Sequence, residues 1–458
     1  MRKLQILVLL VYAINYSQNK QVLYDFAGLP QTLMMNPGAE VDNKFHIGFP
    51  ILSQISVQGG FTGFSTYDIF ADNGVDINDK IRDAIHGFGK TEFTMVNQQL
   101  EILSGGYRLK NNDYLSFGYY QELDFLAKIP RDLVDLFYEG NTNIGRRYSM
   151  KKMTARAEML GVLHVGLSKK INDKWQIGGR AKIYSSVFNG KTKQNKGTFY
   201  TEYGTNNIYK HNLENVDFLM QTSGMFLDDY DDVTPSYVQS KLFFGGNLGL
   251  GLDVGFTHHL KKQWTVSGSI QDIGFIYNTK DVETYQIKHG YYQIEGIQVY
   301  FDPNNPEDYW KDLKDDFDEK IVLDTIYKKY ISIRPVKLNG AVSYSFGRPY
   351  YDDCRFLTSN ELYTNKLGFH LYSTIGAVHS YLAATLFYER RVTKHLDTKF
   401  TYTLDPFSYS NLGVGLSTQF GAFNTYFIAD NLLKLNNVYN AKSANFQLGI
   451  NFIFNNKN

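Results

Sequence analysis

Apolar and polar residues alternate strictly along several stretches of this chain. Residues 445–454 place five apolar side chains on one face of an extended strand, and these are Phe446, Leu448, Ile450, Phe452 and Phe454. Successive side chains of a strand point to opposite faces, so the other face is mostly small and polar. In water, an apolar edge strand of this kind promotes aggregation. We therefore expect its apolar face to meet a solvent other than water.

The same alternation recurs in residues 247–260, 337–347 and 411–421. A soluble β-sandwich also alternates, but glycine, serine and asparagine line the second face heavily here. Apolar side chains toward lipid and polar side chains toward the lumen are typical of a transmembrane β-barrel. Such a barrel closes on itself, because no backbone group can stay unpaired in hydrocarbon. The pattern predicts an all-β, antiparallel transmembrane barrel.

Three short basic turns, at residues 168–175, 257–264 and 390–397, set the orientation of the strands. Bacterial barrels have short periplasmic turns and long outer loops. Counting alternately from these turns predicts about fourteen strands, the first over residues 45–62 and the last over residues 444–454. We expect the last strand to close the barrel by pairing with the first. Because the strands near Phe45 and Tyr381 are the weakest, twelve or sixteen strands remain open alternatives.

Because successive strands run in opposite directions, three long segments fall at the outer end of the barrel. Residues 76–88 predict a short amphipathic helix with an isoleucine every four positions. Residues 189–242 are rich in Tyr, Asn and Lys, and residues 278–334 contain a second helix with an apolar stripe from Trp310 to Ile321. We expect this stripe to cover the barrel mouth, with a partner protein as the alternative.

The first residues have the layout of a secretory signal peptide. Arg2 and Lys3 precede an apolar run over residues 4–14, which is too short to span a bilayer. We expect residues 1–18 to be removed on export to the outer membrane. The alternative, a buried first helix, lacks an amphipathic pattern. The mature chain then comprises residues 19–43, a periplasmic or plug segment, and residues 44–458, the barrel.

Residues 19–43 are rich in apolar and turn-forming residues, especially around the sequence LPQTLMMNPG. This composition favours a plug inserted in the lumen over a free tail. The residues predicted to form the plug are Leu29, Pro30, Met34, Met35, Asn36, Pro37 and Gly38.

Composition agrees with one exported barrel. Aromatic residues make up 16% of the chain, and no later stretch approaches the roughly 20 apolar residues of a membrane helix. A net charge of +1 without a basic stripe argues against a nucleic-acid partner. The only cysteine, Cys354, forms no internal disulfide and lies far from the cleavage site, which excludes a lipoprotein.

Candidate catalytic and metal-binding residues form no recognisable motif. Four histidines lie near the predicted periplasmic turns, namely His164, His258, His259 and His395. Three others fall in predicted outer loops without a nucleophile beside them, namely His86, His211 and His289. The acidic residues 228–232 lack the spaced ligands of a calcium loop, so a solvated loop is favoured over a Ca²⁺ site. We expect no enzyme activity, no cofactor and no metal.

Three stretches resemble one family of barrels. They are residues 29–81, residues 266–275 (VSGSIQDIGF) and residues 445–454 (NFQLGINFIF), and the stretch MNPG at residues 35–38 is the most specific. The family is a Bacteroidota outer-membrane barrel family of unknown function, akin to the PorV/FadL and PorP/SprF barrels. The resemblance implies an outer-membrane location and a barrel fold. It implies no catalytic residue.

Two functional classes follow from this reading. The barrel is expected to be a FadL-like channel for small apolar or amphipathic molecules. The alternative is a non-conducting scaffold that docks envelope machinery, for type IX secretion or barrel assembly, through its Tyr-rich outer loops. Expected partners are outer-membrane lipid and the barrel-assembly machinery. We expect that machinery to recognise the five apolar residues of positions 446–454, since a terminal strand can add to an exposed sheet edge.

Overall fold

Long antiparallel strands dominate the computed structural model of this chain, which describes residues 21–205, 208–224, 234–295, 323–347, 363–376, 380–432 and 441–454. Fourteen strand positions close into one barrel. The strands are β1 (Phe45–Gly48), β2 (Gln54–Phe61), β3 (Thr91–Arg108), β4 (Tyr114–Pro130), β5 (Tyr148–Ser149), β6 (Thr154–Lys170), β7 (Trp175–Tyr203), β8 (Tyr209–Gly224), β9 (Asn247–His259), β10 (Trp264–Asn278), β11 (Val282–Glu295), β12 (Leu323–Ile326), β13 (Tyr330–Ile333), β14 (Val336–Phe346), β15 (Asn365–Ile375), β16 (Tyr381–Thr393), β17 (Leu396–Leu404), β18 (Asn411–Phe420), β19 (Phe423–Ala429) and β20 (Ser443–Phe454).

The barrel closes between β20 and the first two strands. Phe454 of β20 is paired with Phe45 of β1, and Leu448 is paired with Ile55 of β2. The other side of β20 pairs with β19 from Phe446 to Phe452. Because both neighbours of β20 are present, this strand offers no free edge for aggregation. The predictions of a closed antiparallel barrel of about fourteen strands and of pairing between the last strand and the first are confirmed.

Two wall positions hold two strands each. The first was predicted as one strand over residues 45–62, but it divides into β1 and β2 because the chain leaves the ladder over residues 49–53. Pro50 has no N–H to donate, and Ile51 has a φ of +67°, which a strand cannot contain. The other divided position consists of β13 and β14, which both pair with β10.

The two faces of the wall differ in polarity as the alternation predicts. On β9, four outward-facing apolar side chains are 39–57% exposed, namely Leu248, Leu250, Leu252 and Val254. The inward-facing Asn247, Asp253 and Thr257 of the same strand are buried. An apolar outer surface around a polar interior is the arrangement of a barrel that meets lipid.

The two ends of the barrel differ in their connections. Five tight turns lie at one end, and they connect β3 to β4, β6 to β7, β9 to β10, β16 to β17 and β18 to β19. We call this the short-turn end; the sequence predicts that it faces the periplasm. Four short α-helices of the described chain lie between strands at the opposite, loop end, whereas a 3-10 helix over Pro30–Met34 precedes β1. The α-helices are α1 (Thr66–Phe70), α2 (Ile77–His86), α3 (Arg131–Glu139) and α4 (Pro235–Ser240).

Helix α2 confirms the amphipathic helix predicted within residues 76–88. Asp76 caps its first turn by accepting a hydrogen bond from the N–H of Asn78 at 2.8 Å. Ile85 is buried on the apolar side of the helix. The second predicted helix, with the stripe from Trp310 to Ile321, lies outside the described residues. Within the described part of the chain, no helix is long and apolar enough to cross a membrane.

Strand β7 extends beyond the barrel at the loop end. Its first half pairs with β6 and β9, and its second half pairs with β8, which pairs with β11. Strand β12 adds to β11. The sequence predicts residues 189–242 as a long excursion at the outer end. Its described part is mostly a β-hairpin, whose cross-strand hydrogen bonds satisfy the backbone of this polar stretch.

Replacing Phe452 and Phe454 together by alanine should sharply lower the amount of assembled barrel, because we expect the assembly machinery to recognise this strand. Loss of a lipid-facing ring alone costs about 1–3 kcal/mol, which a large barrel tolerates. The heat-modifiable, folded band in membrane fractions measures assembly. Leu250→Ala with Leu252→Ala is the control, since Leu252 (47%) and Phe454 (45%) are equally exposed. Equal assembly of both double variants would contradict the recognition role.

Candidate functional site in the barrel lumen

The chain before β1 lies inside the barrel, and we call residues 21–43 the inner segment. Five of its apolar side chains are at most 2% exposed, and these are Val22, Leu23, Tyr24, Phe26 and Leu29. They pack with Tyr426 and Ile428 of β19. All seven residues predicted to form a plug belong to this inner segment. Their position inside the barrel is observed, whereas their effect on passage through the lumen stays a prediction.

The sequence Asn36, Pro37, Gly38 packs on two wall glycines that are directly paired, Gly178 of β7 and Gly255 of β9. A Cβ atom at Gly178 would lie 1.9 Å from the Pro37 carbonyl oxygen, and one at Gly255 would lie 2.0 Å from Asn36 Oδ1. A Cβ at Gly38 would lie 2.5 Å from the Gly255 carbonyl oxygen. All three positions therefore require glycine for close approach. We call Gly178 and Gly255 the glycine seat.

Side chains of the wall donate hydrogen bonds to backbone carbonyls of the inner segment. The donors come from strands on several sides of the lumen, so the segment is held along its length. Four examples are Lys399 to Tyr24 (2.5 Å), Ser269 to Met35 (2.6 Å), Thr257 to Gly38 (2.8 Å) and Arg180 to Met34 (2.9 Å).

Side chains of the inner segment add contacts specific to their own identity. The ring of Tyr24 stacks on His370 with 4.2 Å between ring centroids, and its hydroxyl lies 3.0 Å from Ser267 Oγ. Gln31 donates to Asn451 at 2.7 Å. These contacts fix the segment at both strand β20 and the opposite wall.

A network of ten charged side chains fills the lumen beside the inner segment. Five are basic and five are acidic, so the network is balanced in charge. Its members are Arg156, Arg180, Lys182, Arg334, Lys337, Glu122, Asp124, Glu158, Asp253 and Asp272.

Arg334 is the central residue of this network. It precedes β14, and its guanidinium reaches Glu122 of β4 at 2.9 Å and also contacts Glu158 of β6. On the other side, Lys182 lies 2.5 Å from Asp272 and 2.9 Å from Asp253. Ions buried in this way are retained when each one is paired. The network therefore ties six wall strands together, and Arg180 joins it to the inner segment.

Two cavities lie on opposite sides of the inner segment. The larger, of about 270 Å³, is toward the loop end; Met34 and Met35 form its floor. Basic network residues line one wall, and Gln58 and Asn97 line another. The smaller, of about 120 Å³, is toward the short-turn end beside Asp25 and other acidic residues. Protein pockets for small molecules start near this larger size, roughly 300 Å³.

The other predicted residues lie outside this site. The five apolar residues predicted as an assembly signal are on the outward face of β20, with Phe446 and Phe454 the most exposed. His258, His259 and His395 lie at the short-turn end as expected. His164 differs, because it lies within β6, buried in the lumen 5.7 Å from the ring of Tyr120.

The remaining residues considered as candidates are an acidic stretch and three histidines. The acidic residues 228–232 lie outside the described residues. His86 is in α2, His211 is in β8 and His289 is in β11. In the described ranges, no group of three or more His, Cys, Asp or Glu side chains is placed to hold a metal ion.

Fold and lumen together define a closed barrel whose interior is occupied by its own N-terminal segment. Residues 37–430 match the model of a family described as "Family of unknown function (DUF5723)". The chain belongs to this family. No curated protein matches its sequence.

Several solved barrels are similar in structure. A FadL homologue of Pseudomonas aeruginosa has 11% identity and a TM-score of 0.43, covering 93% of this chain and 96% of its own. The toluene transporter TbuX of Ralstonia pickettii has 9% identity and a TM-score of 0.41, with 93% and 94% covered. The translocator domain of the autotransporter NalP from Neisseria meningitidis has 8% identity and a TM-score of 0.33, with 96% and 99% covered. At this distance they assign no substrate or partner.

Replacing Arg334 by methionine should destabilise the barrel by about 3 kcal/mol, because Glu122 and Glu158 then lose a buried partner. The denaturant midpoint of barrel unfolding measures this loss. Arg391→Met is the control, since the ion pair of Arg391 with Asp397 is partly exposed and worth less than about 1 kcal/mol. Equal midpoints for the two variants would contradict a stabilising network.

Proposed function

We propose that this protein is an outer-membrane channel for small apolar or amphipathic molecules and that the inner segment is its plug. The observation that carries this proposal is the pair of cavities separated by residues 21–43. Within the described part of the chain, the covalent backbone joins the segment to the wall next to β1. A shift of the segment would join the two cavities into one path through the lumen.

The lining of the larger cavity supports the substrate class. Apolar and aromatic side chains such as Met95, Leu126 and Tyr120 line it together with charged ones such as Lys337. Pockets for small molecules combine an apolar lining with a few polar groups that orient the ligand. A small molecule with an apolar body and one polar group fits this combination.

An outer-membrane location is supported by the apolar outer face, the closed wall and the expected signal peptide over residues 1–18. A closed barrel satisfies every wall hydrogen bond without help from lipid. The proposed channel has no catalytic residues, no enzyme activity and no cofactor.

The second candidate function is a non-conducting scaffold that docks envelope machinery, such as that of type IX secretion or barrel assembly. The observation in its favour is the sheet that the second half of β7 forms with β8, β11 and β12 beyond the barrel. Tyr203, Tyr291 and Tyr327 are 53–77% exposed there. Exposed tyrosines are enriched at protein interfaces, so this sheet suits a protein partner.

Fractionation should place the protein in the outer membrane as a heat-modifiable band. The apolar outer face requires lipid, so the protein is expected to sediment with outer-membrane markers in a sucrose gradient. A known periplasmic protein and a known inner-membrane protein serve as controls. Recovery of the folded chain with either of them would end this proposal.

Deleting residues 21–40 should raise the single-channel conductance in planar bilayers, because it removes the partition between the two cavities. Replacing the same residues by a flexible Gly/Ser linker of equal length is a second variant that keeps the chain length. A folded, heat-modifiable band must accompany each measurement. If conductance stays at the wild-type level in both folded variants, the charged network fills the lumen and the channel function is wrong.

A further inference from the structure

We propose that the barrel lumen is a peptide-binding site and that the inner segment is its built-in ligand, which a separate peptide of the same sequence can replace. This inference uses only the observed position of residues 21–43. It holds whether or not the barrel conducts, so it stands or falls separately from the channel function.

Side chains of the barrel wall bind the main chain of the inner segment. Nine carbonyl oxygens of the inner segment accept hydrogen bonds from wall side chains, and they belong to Tyr24, Asp25, Leu33, Met34, Met35, Gly38, Ala39, Val41 and Asn43. Carbonyl groups are common to every peptide. The inner segment is a series of turns with a 3-10 helix over Pro30–Met34, and the wall donates to the carbonyls that these turns leave facing it, as main-chain bonding does in other peptide-binding proteins.

These donors come from strands on several sides of the lumen. Lys399 lies on β17, Lys366 on β15, Arg180 on β7 and Ser269 on β10, while Arg108 lies at the end of β3. They surround the lumen and contact successive parts of the segment. The binding site therefore follows the path of one polypeptide chain from residue 24 to residue 43.

Side-chain contacts give this site its sequence selectivity. The wall provides a ring-sized place for Tyr24 between His370 and Ser267, and a pair of polar groups for Gln31. The glycine seat admits the backbone at residues 36–38 only where the peptide itself has Gly38. A peptide ligand thus needs an aromatic residue, a glutamine and an Asn-Pro-Gly sequence at these spacings.

Non-covalent contacts alone hold the segment before its junction with β1. It contains no cysteine, so no disulfide attaches it to the wall. Its tether gives it an effective concentration on the order of mM, far above that of an added peptide. A free peptide should consequently bind well only when the protein's own segment is weakened.

The experiment uses the full-length chain with Gly38→Val, which weakens the built-in segment and leaves the wall unchanged. A fluorescently labelled peptide of residues 21–43 with the natural sequence is added to the purified barrel in detergent. Fluorescence anisotropy should show binding at least about tenfold tighter than to the wild-type chain, where the tethered copy competes.

Two controls test the site itself. Adding Gly255→Val to the Gly38→Val chain should abolish binding, because the new side chain fills the glycine seat. Adding Gly340→Val instead should leave binding unchanged, since a Cβ at this outward-facing glycine meets no atom within 4 Å. A labelled peptide of scrambled sequence should not bind any of these chains.

A second full-length variant keeps the test decisive if Gly38→Val does not fold. Tyr24→Ala removes the stacked ring and its hydrogen bond without touching the wall. The proposal is overturned if neither variant, once folded and heat-modifiable, binds the peptide more tightly than the wild-type chain. Equal binding of the natural and scrambled peptides would also overturn it.

Discussion

Hydrogen bonding of the wall backbone is the constraint on which the rest of this structure depends. Lipid offers no partner to an N–H or a carbonyl group, so each wall strand must pair on both sides. Pairing of β20 with β1 and β2 meets this requirement where the chain would otherwise leave two edges. Once the barrel is closed, every second side chain of each wall strand points inward. The lumen therefore contains the polar and charged side chains at those positions.

Polar and charged groups that point into the lumen find partners in two different ways. On one side, ten charged side chains neutralise one another around Arg334. Elsewhere, wall donors such as Lys399 and Ser269 meet the backbone of the inner segment. Buried polar groups need partners, and here a piece of the same chain supplies many of them. The inner segment thus supplies hydrogen-bond partners to the polar groups that line the lumen.

The wall was largely predictable from the sequence, whereas the lumen was only partly so. Strands such as β9 and β20 could be predicted because their alternation of apolar and polar residues is visible in the local sequence. The short basic turns indicated the direction of each strand. The division at Pro50 was missed because apolar alternation continues around it. The charged network was missed: charged residues two positions apart, such as Arg180 and Lys182, share one face of a strand, but their partners lie on strands distant in sequence. Composition indicated that the residues around Pro37 lie inside the barrel, but it did not indicate the matching glycines Gly178 and Gly255.

Exchange of the inner segment requires that its hydrogen bonds be replaceable at low cost. A backbone hydrogen bond contributes only about 1 kcal/mol net, because water can take the place of either partner. The lumen is polar, so water can reach donors such as Thr257 and Ser269 once the carbonyls leave. The apolar cluster of Leu23, Phe26 and Tyr426 has no such substitute, since its separation exposes apolar surface. Displacement should therefore begin at residues 36–38, where hydrogen bonds to Phe256 and Thr257 hold the segment, and proceed toward this cluster last.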